Sequence, residues 1–174
     1  LRTPLYDEMA NYAKDRTIDF TKHALWNEDY IREAFETFSA SRNQSVKFLL
    51  YWYAYQNPQQ ELIPTGKKIS VEHIFSKNRA TVQGALSDPS CVELLGNKSI
   101  MESNLNIRAS DFRFEDKRAY YLGTRDDKRK PTMIRDLRDL ASNKADFTEE
   151  DIKERTECIF QTLLAFLRRY DLVK

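Results

Sequence analysis

Between Ile69 and Phe75 the chain alternates with a period of two: Val71, His73 and Phe75 on one side, Ser70, Glu72 and Ile74 on the other. The alternation predicts a short β-strand carrying a carboxylate and an imidazole on opposite faces near its end. A polar loop follows, punctuated by Gly84, Asp88, Pro89 and Ser90. Leu94 to Met101 reads as a second short strand entered through Gly96, and Ser103 is placed to cap a helix beginning at Asn104. Asn106 falls in the first turn of that helix. The order is strand, loop, strand, helix, and its polar punctuation is Glu72-His73, Asn97 and Asn106.

The series Glu72-His73-Ile74, Gly96-Asn97 and Asn104-Leu105-Asn106 resembles the HNH, or His-Me finger (ββα-metal), nucleases, with Asn106 where the last histidine of the name would stand. Asp111-Phe112-x-Phe114-x-x-Lys117-x-x-Tyr120 and Thr148-Glu149-Glu150-Asp151-Ile152-x-x-Arg155 sharpen the match. Together they look like the C-terminal nuclease domain of GmrSD-type, modification-dependent restriction enzymes and related phage-defence proteins, over residues 44–170. The resemblance implies an α+β, mostly α-helical fold, with a ββα-metal nuclease core embedded in a helical bundle. In that scheme residues 1–66 are a helical part packing on the core, 67–122 are the core, and 123–174 are helices completing the same domain.

Composition suits this. A chain of 174 residues, 41% hydrophobic and 32% charged, is long enough for one domain with a substantial core. Ten Phe, nine Tyr and two Trp supply large side chains for it. No apolar run approaches a membrane span and no leader opens the chain, so a reduced, cytoplasmic setting is expected. A first residue of Leu suggests a piece of a longer protein. Cys91 and Cys158 stand far apart with no C-x-x-C, which argues against structural zinc. The net charge is only +1, but residues 67–138 hold fifteen Lys and Arg against ten Asp and Glu. Two readings stand, an ordinary solvated surface or a basic face for a phosphate backbone.

Around this centre the pattern predicts helices. Thr3-Pro4 starts one carrying Leu5, Met9 and Tyr12, with Ile18, Phe20 and Leu25 as its extension. Asn27-Glu28-Asp29 caps a second, striped with Ile31, Phe35 and Phe38. A third spans 44–56, through Val46, Phe48, Leu50, Trp52 and Tyr53, either as a buried core helix or as a base-stacking platform. Asn57-Pro58 and Pro64-Thr65-Gly66 end the helical part. Phe114 to Leu122 forms another helix closed by Gly123, and Met133 to Leu140 a short amphipathic one. Thr148 with Asp151 resembles a capping box for a last helix burying Ile152, Ile159, Phe160, Leu163, Leu164 and Leu167. That helix is expected to pack on the third.

Phosphodiester hydrolysis needs an activated water, charge relief on the phosphate and stabilisation of the leaving oxygen. The resemblance makes His73 the general base, an imidazole able to take a proton at neutral pH. The other histidine, His23, reads as a surface or packing residue in a helical context. Glu72 and Asn106 are implied as ligands of Mg²⁺, or Mn²⁺, a hard cation satisfied by few protein oxygens plus phosphate. Asn97 is implied to fix the loop or orient the histidine. Lys117, and with it Arg118, follow the family's Phe-x-x-Lys pattern. They are read either as phosphate contacts or as a surface ion pair with Asp111 or Glu115. Lys128, Arg129 and Lys130 form a charged loop, either a solvated turn or a contact to the DNA backbone. Ser76 and Lys98 depart from the Pro and Leu usual in the relatives. The implied function is a metal-dependent DNA endonuclease, the effector of a larger defence protein. Nucleotide sensing would lie in an N-terminal domain or partner subunit. A catalytically idle nucleic-acid-binding domain and a toxin-type RNase are the alternatives.

Overall fold

The predicted strand forms, and among the described residues it has one partner. In a computed structural model, which describes residues 2–19, 26–39, 44–125 and 130–173, β1 (Ile69–His73) pairs antiparallel with β2 (Lys98–Glu102). The register sets Ile69 against Glu102, Glu72 against Ser99 and His73 against Lys98. A two-stranded ribbon is marginal in water and needs cover. Here all five residues of β2 are buried. The cover is helical: α5 (Ser103–Ala109) packs on both strands and α3 (Gln44–Ala54) on β2, while α6 (Phe114–Leu122) packs on α5 and on α7 (Arg135–Asn143). The remaining helices are α1 (Arg2–Asp15), α2 (Glu28–Ser39), α4 (Lys77–Thr81) and α8 (Glu149–Arg169). The fold is thus α+β and mostly α-helical, as expected.

By internal contacts the chain divides into two units, Leu1–Phe35 with Phe160–Lys174, and Glu36–Ile159. In the first, Phe35 meets Phe160 edge-on at 5.3 Å and Arg32 lies over the Phe160 ring at 4.0 Å. Asn27 Oδ1 accepts from Tyr30 N at 2.8 Å, the expected cap of α2. The second unit holds both strands. Its core joins Ile74, Leu95, Ile100, Met101, Leu137 and Ile152 to a cluster in which Phe114 lies 5.5 Å from Phe147 and 6.3 Å from Tyr121.

Several local expectations shift. The second strand begins later than predicted, because Leu95–Asn97 is a 3₁₀ turn. Ser103 is the first residue of α5 rather than its cap; Glu102 occupies the cap position without a capping bond, its carboxylate accepting instead from Thr132 Oγ1 and Met133 N. Within the polar loop lie α4, capped by Ser76, and a 3₁₀ turn at Pro89–Glu93 that starts on Asp88-Pro89, a cap-plus-proline signal. In α1 Thr3 sits inside the helix, and α3 buries Val46, Leu50 and Ala54 while leaving Phe48 68% exposed. Phe20, His23 and Leu25 lie outside the described residues. The capping box of α8 forms despite the short Asp: Thr148 N donates to Asp151 Oδ2 at 2.7 Å and Asp151 N to Thr148 Oγ1 at 3.3 Å. As expected, α8 meets α3, with Arg155 over the Tyr53 ring at 5.5 Å.

The turn before β2 is gripped by α8. Arg155 donates to the carbonyls of Gly96 at 2.7 Å and Lys98 at 2.9 Å, and its other nitrogen pairs with Asp136. Gly96 N donates to Thr156 Oγ1 at 3.0 Å. A Cβ at Gly96 would stand 1.9 Å from Ile152 O. Gly96→Ala must therefore push the turn off α8, at a cost of about 3 kcal/mol. Urea unfolding of parent and variant measures this; equal midpoints would mean the turn moves freely.

Candidate active site

Because successive strand residues face opposite ways, β1 sends Glu72 into the core and His73 toward the other side. Glu72 is 2% exposed, and its Oε1 accepts from Lys117 Nζ at 2.7 Å and Tyr121 Oη at 2.6 Å. Lys117, 1% exposed, also donates to His73 O at 2.5 Å. Burial pushes the Glu72 carboxyl up, against the pull of the Lys117 ammonium. Burial and then Glu72 raise the Tyr121 phenol well above its ordinary value, so it stays a donor.

On the other face the His73 side chain is 22% exposed. Among the described residues its Nε2 has no hydrogen-bond partner; Glu93 Oε2, at 3.8 Å, is too far for one. Glu93 is held instead by two cations, Lys77 Nζ at 2.5 Å and Lys98 Nζ at 3.4 Å. Burial first, then Lys77, with Lys98 and Lys117 adding, lowers His73 to about 4 against the opposing pull of Glu93. The imidazole is therefore neutral at pH 7 and keeps a lone pair for a proton. For Glu93 burial works upward, but Lys77, Lys98 and His73 together pull its carboxyl below the usual range.

Asn97 fastens the backbone on either side of this site. Its Oδ1 accepts from Phe75 N at 2.6 Å, and its Nδ2 donates to Phe75 O at 3.0 Å and Val92 O at 2.9 Å. Asn106 Nδ2 donates to Ser70 Oγ and Val71 O, both at 2.9 Å, tying α5 to β1. Of the two readings of Lys117, a phosphate contact or a surface ion pair with Asp111 or Glu115, the structure shows neither: the side chain is buried and pairs with Glu72. Arg118 donates from Nε to Ala141 O at 2.8 Å. Lys130 is exposed and lines a cavity of about 680 Å³ with Lys67, Lys68 and Arg108. Lys128 and Arg129 lie outside the described residues.

The ligand pair implied for Mg²⁺ does not fit that ion as arranged here. The Glu72 carboxylate is already committed to an ammonium and a phenol, and a divalent cation beside it would face the charge of Lys117. Among the described residues no group of three His, Cys, Asp or Glu side chains stands ready to hold a metal. The sequence reading missed Lys77, Glu93, Lys98 and Tyr121, of which only Lys98 carried a signal, its departure from the apolar residue of the relatives.

The family model for "GmrSD restriction endonucleases, C-terminal domain" matches residues 26–162. No curated protein and no solved structure gives a match.

Two stability effects follow from the two faces of β1. Lys117→Met leaves a buried, unpaired carboxylate and costs about 3–5 kcal/mol. Adding Glu72→Gln restores part of it, a coupling that a double-mutant cycle in urea detects; strict additivity would mean the pair is not coupled. For His73, the unfolded imidazole titrates near 6.5 and the folded one near 4. Between those values the unfolded chain holds the extra proton, so stability falls as pH drops from 6.5 to 4 and no further below. The loss is about 3 kcal/mol, absent in His73→Gln. Parallel stability–pH curves for the two proteins would contradict it.

Proposed function

The chain belongs to this restriction-endonuclease domain family, and from that membership we propose that it is an HNH-type, His-Me finger nuclease that hydrolyses or nicks DNA. The observation supporting the chemistry is a neutral His73 whose Nε2 is unpartnered among the described residues and lies beside two lysines. A phosphodiester that displaces the Glu93 carboxylate takes Lys77 and Lys98 onto its non-bridging oxygens. His73 then removes a proton from water as the water oxygen bonds to phosphorus. The bond to the leaving 3′ oxygen breaks, and bulk water supplies the proton that oxygen needs. The bound phosphodiester takes over from Glu93 the negative charge that opposes the lysines beside His73. In the longer protein we assign this domain the cutting step of restriction or phage defence, with nucleotide sensing outside it.

His73→Ala should lower plasmid nicking about 10²–10⁴-fold while leaving circular dichroism and duplex binding near the parent. The acid limb of kcat/KM, which reports the free protein, should lie near the folded value of about 4. The assays run with and without Mg²⁺ or Mn²⁺, and on RNA beside DNA. Parent-like nicking by His73→Ala would remove the base. RNA cut with DNA spared would make the domain a ribonuclease, and duplex binding without any cleavage would leave a binding module.

A further inference from the structure

The Arg118 side chain leads to a second cluster of cations. Arg79 from α4, Arg113 from the cap position of α6, and Arg118 from within α6 line one cavity of about 290 Å³, with Glu115, Ala145 and Asp146. Arg79 stacks on the Phe75 ring at 4.9 Å, and its Nε is buried without a hydrogen-bond partner among the described residues. Two carboxylates line the same cavity, yet among the described residues none of the three guanidiniums forms an ion pair. One Asp146 oxygen accepts instead from the adjacent Phe147 N at 2.8 Å. Three guanidiniums held together without ion pairs repel one another, and that cost falls when an anion with several acceptor oxygens enters. Guanidinium forks match tetrahedral phosphate, each able to give two parallel bonds.

The helix that contributes Arg79 also contributes Lys77, which holds Glu93 beside His73. Residues two apart on a helix point to nearly opposite sides. The two cations are therefore separated by a distance on the order of 10 Å, a helix diameter, or about one to two nucleotides along one strand. We propose that Arg79, Arg113 and Arg118 form a phosphate-binding subsite that takes a backbone phosphate one or two nucleotides from the one cut beside His73. The assignment to DNA rests on the nuclease reading; the affinity for phosphate does not. The subsite contacts no base, so it sets the register of the strand in the site and reads no sequence.

Arg113 is exposed, so its replacement spares the fold. The test uses the whole chain in three titrations: inorganic phosphate, a 5′-phosphorylated short duplex, and the same duplex with 5′-hydroxyl ends. Each is followed through the arginine Nε–H resonances and by affinity. The two duplexes should bind alike and shift the Arg79 and Arg118 signals. Arg113→Ala should weaken both about tenfold, the worth of one charge-assisted pair. It should also flatten the log–log salt slope by about 0.9. Arg113→Lys, which keeps the charge but not the fork, should recover the salt slope and only part of the affinity. In nicking, Arg113→Ala should raise KM by a larger factor than it lowers kcat. Parent-like affinity and slope in Arg113→Ala overturn the subsite. So does binding that requires a 5′-phosphate or is confined to inorganic phosphate, since the pocket then takes free or terminal phosphate. If no nucleic acid is cut by the parent while the binding results hold, the nuclease reading fails and the phosphate subsite stands.

Discussion

An ammonium group buried between a carboxylate and a peptide carbonyl holds this site together. Lys117 reaches from α6 to Glu72 Oε1 and to His73 O, so one cation ties the end of β1 to the helix beneath it. Burying either charge alone would be costly, which makes the pair a condition for both side chains being where they are. Its consequence is directional. With Glu72 drawn into the core, the pleat leaves His73 on the opposite face, among Lys77, Glu93 and Lys98.

The other side of the site is held by backbone rather than by charge. Asn97 reads the main chain at Phe75 and Val92 with its amide, and Arg155 reads it at Gly96 and Lys98 with its guanidinium. Arg155 grips the turn that leads into β2, and Asn97, the last residue of that turn, fastens it to Phe75 and Val92. A glycine at 96 lets that turn lie against Ile152 and Thr156 of α8. Residues more than fifty positions apart thus fix the loop that faces His73, although none of them performs chemistry.

How much of this could be read beforehand depended on range. Period-two alternation marked β1, three- and four-residue spacing marked α6, and Thr148 with Asp151 marked the start of α8, because those are local signals. The family pattern picked out His73, Asn97, Lys117 and Arg155. It did not say that Lys117 would turn inward to Glu72, because a lysine on a helix reads equally as surface or core until its partner is known. Glu93 was invisible for a related reason. It sits in a loop with no periodicity, and its meaning comes from two lysines, one sixteen residues before it and one on the next strand. The ion pairs across the site are a property of the fold and not of any segment.

Glu93 gives the site a resident counter-ion. While the carboxylate lies across Lys77 and Lys98, their charge is already matched, and a small monovalent anion gains little by taking its place. Only a ligand that satisfies both lysines together offers more than Glu93 does. The pocket therefore discriminates by exchange, setting the threshold for entry by what must be displaced rather than by what fits.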